Sequence, residues 1–322
     1  MKTFKGFTFT LLALLLALST NGLAQDSPDL VEEEEQAQAE EQLSAGEDAQ
    51  PLASNAEGAA SSGANAEALA KNTDDKTGTN PVNFQKDFRI YNEYSWLNTE
   101  GDGYQNLTTL EYRTPFADGK WQLRVRAPVY NMVTADFNGD GIDNIDDSGQ
   151  GDLNFRLLTV PYFKGANAVA YAVEVFLDTA SEDSLGSGTT SLAPVVFFGH
   201  FFKGGFGPWQ KGGLFAPGLQ YKFSIDEDEG RAKTEQAIID INFLLTSEDG
   251  QSWFFAEPQI VFDLENDTEF AIMDIEFGWM MTKWSPDLKG HSFYLRPTFT
   301  IGSGSDRPTD YGIELGYKII GW

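Results

Sequence analysis

The run Thr134–Phe155, TADFNGDGIDNIDDSGQGDLNF, gathers oxygen ligands at a spacing that could hold a cation. Asp136, Asn138 and Asp140 stand at positions one, three and five of a twelve-residue calcium loop, with Gly141 at the sharp turn of position six. Ile142 would offer its carbonyl at seven, Asn144 stands at nine and Asp147 at twelve. Calcium asks for this many hard oxygens because its shell takes six to eight of them. Aspartate at twelve departs from the usual bidentate glutamate. The expectation is a structural calcium ion that orders the loop, and the alternative is a highly solvated acidic turn. Gly149, Gly151 and Asp152 read as the start of the strand that follows.

Other chemistry is scarce. The chain has no cysteine, which removes disulfides, thiolate metal sites and cysteine nucleophiles. Its histidines are His200 and His291, and neither lies in a nucleophile motif. His291 adjoins Ser292, but neighbouring side chains on a strand point to opposite faces. An enzyme is therefore not expected, with an outer-membrane lipid-modifying enzyme as the remote alternative. Forty-nine acidic residues against 22 basic ones give a net charge of −27, which excludes a nucleic-acid partner.

The elements around the acidic run alternate with period two. Trp121, Leu123 and Val125 interleave with Gln122, Arg124 and Arg126; Val169, Tyr171, Val173 and Val175 with Ala170, Ala172 and Glu174. Ile239, Ile241 and Phe243 interleave with Asp240 and Asn242, and Met273, Ile275 and Phe277 with Asp274 and Glu276. One face is large and apolar while the other carries full charges. A soluble sandwich and a membrane barrel both alternate, and length separates them. These segments run to roughly ten to fourteen residues, enough for a tilted strand to cross a bilayer, whereas globular strands average about five or six. About twelve segments fit, near 87–97, 104–114, 120–134, 152–163, 167–180, 190–203, 213–226, 235–246, 251–264, 268–281, 290–302 and 309–322. The expected fold is all-β, a transmembrane antiparallel β-barrel of residues 86–322.

With the first strand running outward, 135–151 is the longest outer link, and the inner links read mostly as tight turns. Trp96, Trp121, Trp253, Trp279, Trp284 and Tyr311 fall near segment ends, where girdles contact outer-membrane lipid. Pro128, Pro161, Pro194, Pro217, Pro258 and Pro297 lie inside segments and must sit at bulges or strand ends, as kinks or as lateral gaps in the wall. The inward phase carries Arg113, Arg124, Arg126, Arg156, Glu174, Asp240, Asp274, Glu276 and Arg296. These read either as stabilising ion pairs or as a selectivity lining. The chain ends GYKIIGW, and a terminal aromatic such as Trp322 suits recognition by barrel-assembly machinery, although Tyr317 and Ile319 are out of phase with it.

The first 24 residues read as a signal peptide cleaved after Ala24: Lys2 and Lys5, an apolar core from Phe7 to Leu18, then small residues. Export to the outer membrane of a Gram-negative bacterium follows. Residues 25–85 are rich in Ala, Glu, Ser and Gly and read as disordered, serving as a spacer, a periplasmic arm or a plug.

The embedded prolines, SGQGDLNFRLLTVPY (Ser148–Tyr162) and GSGTTSLAPVVFF (Gly186–Phe198) resemble the MetA-pathway phenol-degradation family of outer-membrane transporters. Gln150 stands where that family's Gly-Leu-Gly-Asp motif has an apolar residue. The resemblance implies a channel for passive uptake of small hydrophobic or aromatic solutes and names no catalytic residues. A structural or surface-interaction barrel without transport is the alternative.

Overall fold

The computed structural model describes residues 77, 84–99, 101–136, 145–228, 230–231, 233–302 and 308–321. The expected signal peptide and most of the segment before residue 86 lie outside them.

The strands are β1 Asp87–Leu97, β2 Gly103–Phe116, β3 Trp121–Ala135, β4 Ile145–Gly149, β5 Asn154–Lys164, β6 Asn167–Phe176 and β7 Thr189–Phe202, then β8 Gly212–Glu227, β9 Glu235–Thr246, β10 Ser252–Asp263, β11 Thr268–Met280, β12 His291–Gly302 and β13 Thr309–Ile320. Each long strand pairs antiparallel with its chain neighbours, β1 pairs with β13, and β2–β3 together with β3–β5 completes the ring. Twelve strands thus close a barrel. The thirteenth, β4, is a short one that pairs only with Asn131–Ala135 at the outer end of β3. Closure leaves no edge to protect.

Burial is inverted relative to a water-soluble protein. Leu315 is 61% exposed beside Glu314 at 6%, and Val173 is 45% exposed beside Glu174 at 8%. Apolar residues outside and charges inside are what lipid around a wet lumen requires. Among the described residues no helix is long and apolar enough to cross a membrane.

Large rings fill part of the interior because glycines on neighbouring strands make room. A Cβ on Gly278 would lie 2.0 Å from the Trp253 ring, one on Gly316 2.1 Å from Tyr294, and one on Gly218 2.5 Å from Phe197. Each ring lies across the adjoining strand, where a side chain would otherwise stand. With Leu158, Val195, Leu214, Leu244 and Phe255 they form an apolar layer inside the barrel, against which Phe84 packs from the segment preceding β1. Thr77 of that segment is also buried.

The prolines sit where ladders falter. The β2–β3 register shifts beside Pro128 and the β5–β6 register shifts beside Pro161. Pairing is interrupted on one side at Pro194, Pro258 and Pro297. One inner link departs from the expected tight turns. In the 203–211 segment Phe206 packs edge-on to Phe254, and Trp209 packs tilted against Phe254 and Phe277, covering part of the outer wall.

Gly278→Val drives two methyl groups into the Trp253 ring, and overpacking of this kind costs about 1–3 kcal/mol. Urea unfolding of the protein refolded into lipid vesicles is expected to show that loss. An unchanged midpoint would mean the ring moves aside freely.

Candidate functional site: the charged lumen

The ladders place the inward charges in rows. Directly opposite positions run Asp87, Arg113, Arg124, Arg156 and Glu174 across β1, β2, β3, β5 and β6. The next row outward runs Arg89, Glu111, Arg126 and Asn154. Glu111 is the hub of this wall. Its carboxylate takes Arg113 Nε at 2.7 Å, lies 3.3 Å from Arg89 Nε and also accepts from Arg126. Asp87 takes Arg89 at 2.9 Å. Glu174 is shared by Arg124, a hydrogen bond, and Arg156, a looser contact at 3.7 Å.

A second hub lies on β11. Glu276, fully buried, accepts from Lys318 Nζ at 2.9 Å, Trp253 Nε1 at 2.6 Å and Arg296. Lys318 is itself fully enclosed, its ammonium over the Trp253 and Tyr294 rings. A buried carboxylate survives only with such compensation.

Further inward acids form an arc that runs from β9 through β10, β11 and β13 to β1, interrupted on β12 by Arg296. Glu257 stands directly opposite Asp274 and Glu93 opposite Glu314, with Asp240 on β9 completing it. Thr298 donates to Asp274 at 2.6 Å and Asn242 to Asp240 at 3.3 Å. Between the arginine wall and this arc lies a polar cavity of about 60 Å³, lined among others by Arg124, Arg126, Arg156, Glu257 and Glu314. It admits a few water molecules. Of the expected lumen residues, Arg113, Arg124, Arg126, Arg156 and Arg296 line this cavity, Glu174 and Glu276 are bonded to arginines that line it, and Asp240 and Asp274 belong to the acidic arc.

Sequence reasoning passed over Asp87, Arg89 and Lys318, although their period-two phase on β1 and β13 carried the signal. It also misplaced Trp253. That residue is fully buried inside the barrel and bonded to Glu276, so it is no girdle residue. Its position near a strand end was read without its phase, which it shares with inward Phe255 and Glu257. The other aromatics do lie outside. Trp96 stacks on Tyr311 at 4.5 Å, Trp279 and Trp284 flank Phe293, and Trp121 is exposed at the start of β3. His291 contacts the Tyr317 hydroxyl while Ser292 is buried on the opposite face.

Of the acidic run, the structure describes the two ends. Asn138, Asp140, Ile142 and Asn144 lie outside the described residues. Asp136 is tied to the 101–102 link by backbone bonds, and Asp147, on β4, accepts from Ser184. Gly151 and Asp152 do not begin β5; they occupy a break between β4 and β5. There the Asp152 carboxylate replaces the missing ladder, accepting from the backbone N–H of Thr179 at 2.9 Å, Ala180 at 3.0 Å and Ser187 at 2.7 Å. The two motifs SGQGD and GSG are joined through this side chain. Their glycines are needed for space: a Cβ on Gly149 would strike Ser181 Oγ at 1.9 Å, and one on Gly186 would meet Asp152 at 2.8 Å.

No protein-family model matches the chain, and no curated protein matches it. Among solved structures, a COG4313 outer membrane channel from Pseudomonas putida F1 is similar, with TM-score 0.55, 10% identity, and 75% of this chain and 96% of that one covered. The fold is that of outer-membrane β-barrels. The NanC porin (TM-score 0.46, 12% identity, covering 73% of this chain and 98% of that one) and the KdgM porin (TM-score 0.39, 10% identity, covering 71% and 98%) are more distant.

Two outcomes are expected. Glu276→Gln leaves Lys318 and Arg296 short of a buried counter-charge, so the unfolding free energy falls by about 3–5 kcal/mol, read by urea titration in lipid vesicles. Asp152→Ala leaves the barrel intact but speeds amide exchange at Thr179, Ala180 and Ser187 by about tenfold or more, since bonds to a charged acceptor contribute about 1.5–3 kcal/mol. Hydrogen-exchange mass spectrometry reads this directly, and unchanged protection would mean the loop holds itself.

Proposed function

We propose that this chain is an outer-membrane channel through which small solutes diffuse passively past the charged constriction. The observation that supports it most is the polar cavity between the arginine wall and the acidic arc, in a barrel whose outer face is apolar. A purely structural barrel has no need to hold opposed charges around a water-sized space, because apolar packing of similar volume is as stable as buried ion pairs or more so. Likeness to a COG4313 outer membrane channel points the same way through its fold. The solute class we infer is small and hydrophobic or aromatic. Support comes from the phenol-degradation resemblance and from the Phe255 and Tyr294 rings that line the cavity beside the arginines.

The proposed setting is the outer membrane of a Gram-negative bacterium, reached through the signal peptide and the assembly machinery. The packing of Phe84 on the interior layer favours a second element of the reading. In it, Phe84 narrows the path beside that layer, so that flux is slow and restricted to small molecules.

Purified protein in liposomes is expected to admit small neutral solutes up to a sharp size limit, seen as swelling, and to give small single-channel currents. Absence of both swelling and current would overturn the channel reading in favour of a structural barrel.

A further inference from the structure

We propose that Arg124 and Arg156 form a seat for the carboxylate of a small monoanionic solute in the lumen. The proposal deepens the channel reading and takes its physiological meaning from it, while the seat can be tested by binding alone.

The first observation is the row itself. Arg124 stands directly opposite Arg113 on one side and Arg156 on the other. Like charges directly opposed across a ladder destabilise it, so such a row is retained only if anions lie against it. The second is the shortage of local anions. Arg124 and Arg156 share one carboxylate, Glu174, and Arg156 reaches it only at 3.7 Å. Arg124 adds one bond to Asn154 Oδ1 at 3.2 Å. The third is unused donor capacity. The Nε atoms of both arginines are buried without a hydrogen-bond partner among the described residues, and the Arg124 side chain is only 4% exposed. A buried guanidinium N–H left unsatisfied is costly, and its planar fork matches a carboxylate.

Both arginines line the central cavity, and so do the Tyr91, Phe255 and Tyr294 side chains. The opposite wall limits what can sit there. Glu257 and Glu314 line the same cavity, and they would repel a second negative charge on the ligand. One carboxylate is therefore favoured over phosphate dianion or a dicarboxylate. The overall charge of −27 does not decide the matter, because exposed charges beyond about 8–10 Å are screened at physiological salt.

Two measurements test this on the full-length protein in detergent and in planar bilayers. Acetate and benzoate are expected to raise the thermal midpoint in detergent at concentrations where inorganic phosphate and benzylamine do not. In a potassium benzoate gradient the reversal potential should show benzoate favoured over potassium. Arg156→Gln is expected to weaken benzoate binding by about tenfold, the loss of one charge-assisted bond, and to shift the reversal potential toward cation preference. Arg124→Lys, which keeps the charge but loses the fork, should weaken benzoate binding while leaving the sign of the ion preference. Equal response to phosphate and benzoate, or benzoate binding unaltered in Arg156→Gln, would overturn the seat whatever the currents show. Benzoate binding lost in Arg156→Gln, in a protein that passes no current, would support the seat and sink the channel reading instead.

Discussion

Closing twelve strands into a ring forces every inward side chain to find its partners inside one narrow space. Many of the inward charges are buried there, and a charge that is left alone is expensive. The interior answers with two carboxylate hubs. Glu111 gathers arginines from β1, β2 and β3, while Glu276 gathers Lys318, Arg296 and the Trp253 indole from β13, β12 and β10. These bonds cross several strands, so they help to hold the register that the ladders define. Where charge gives way to apolar packing, glycines on adjoining strands let Phe197, Trp253 and Tyr294 lie flat. Both devices make the same use of closure, turning the inner surface into a core that keeps a small polar space.

The wall shows a related economy at its irregular points. Proline cannot donate to a ladder, and at Pro128 the pairing of β3 passes from β5 to Gly151 and then to β4. Asp152 supplies from its side chain the acceptors that the broken ladder lacks, which fixes the following outer loop to the β4–β5 break. A motif that reads in the sequence as the start of a strand therefore has a mechanical role of its own. Outside the barrel, the 203–211 link lays Phe206 and Trp209 over Phe254, adding an aromatic surface that no strand contributes.

The barrel was legible because alternation is a local property and each strand records it separately. Segments at 87–97 and 235–246 were readable to the residue. Trp253 was misread because position near a segment end suggested a girdle, although phase relative to Phe255 and Glu257 placed it inside. β4 was not legible at all: Ile145–Gly149 is short and acidic, and it is a strand only because the outer end of β3 extends to meet it. The chemistry of Asp152 was equally hidden, since its partners at 179, 180 and 187 belong to a loop with no pattern of its own.

Alternation with period two already encodes a membrane-crossing barrel with a charged interior, because side-chain direction follows from counting by two. Which of those charges meet was decided only by the tertiary structure. Glu276 and Lys318 are 42 residues apart, and Arg124 and Glu174 are 50 apart. Their contact depends on register and curvature summed over several strands, quantities that no single segment encodes. The crowding of Arg113, Arg124 and Arg156 into one row has the same origin. It turns three separately ordinary inward arginines into a local excess of positive charge facing an acidic wall.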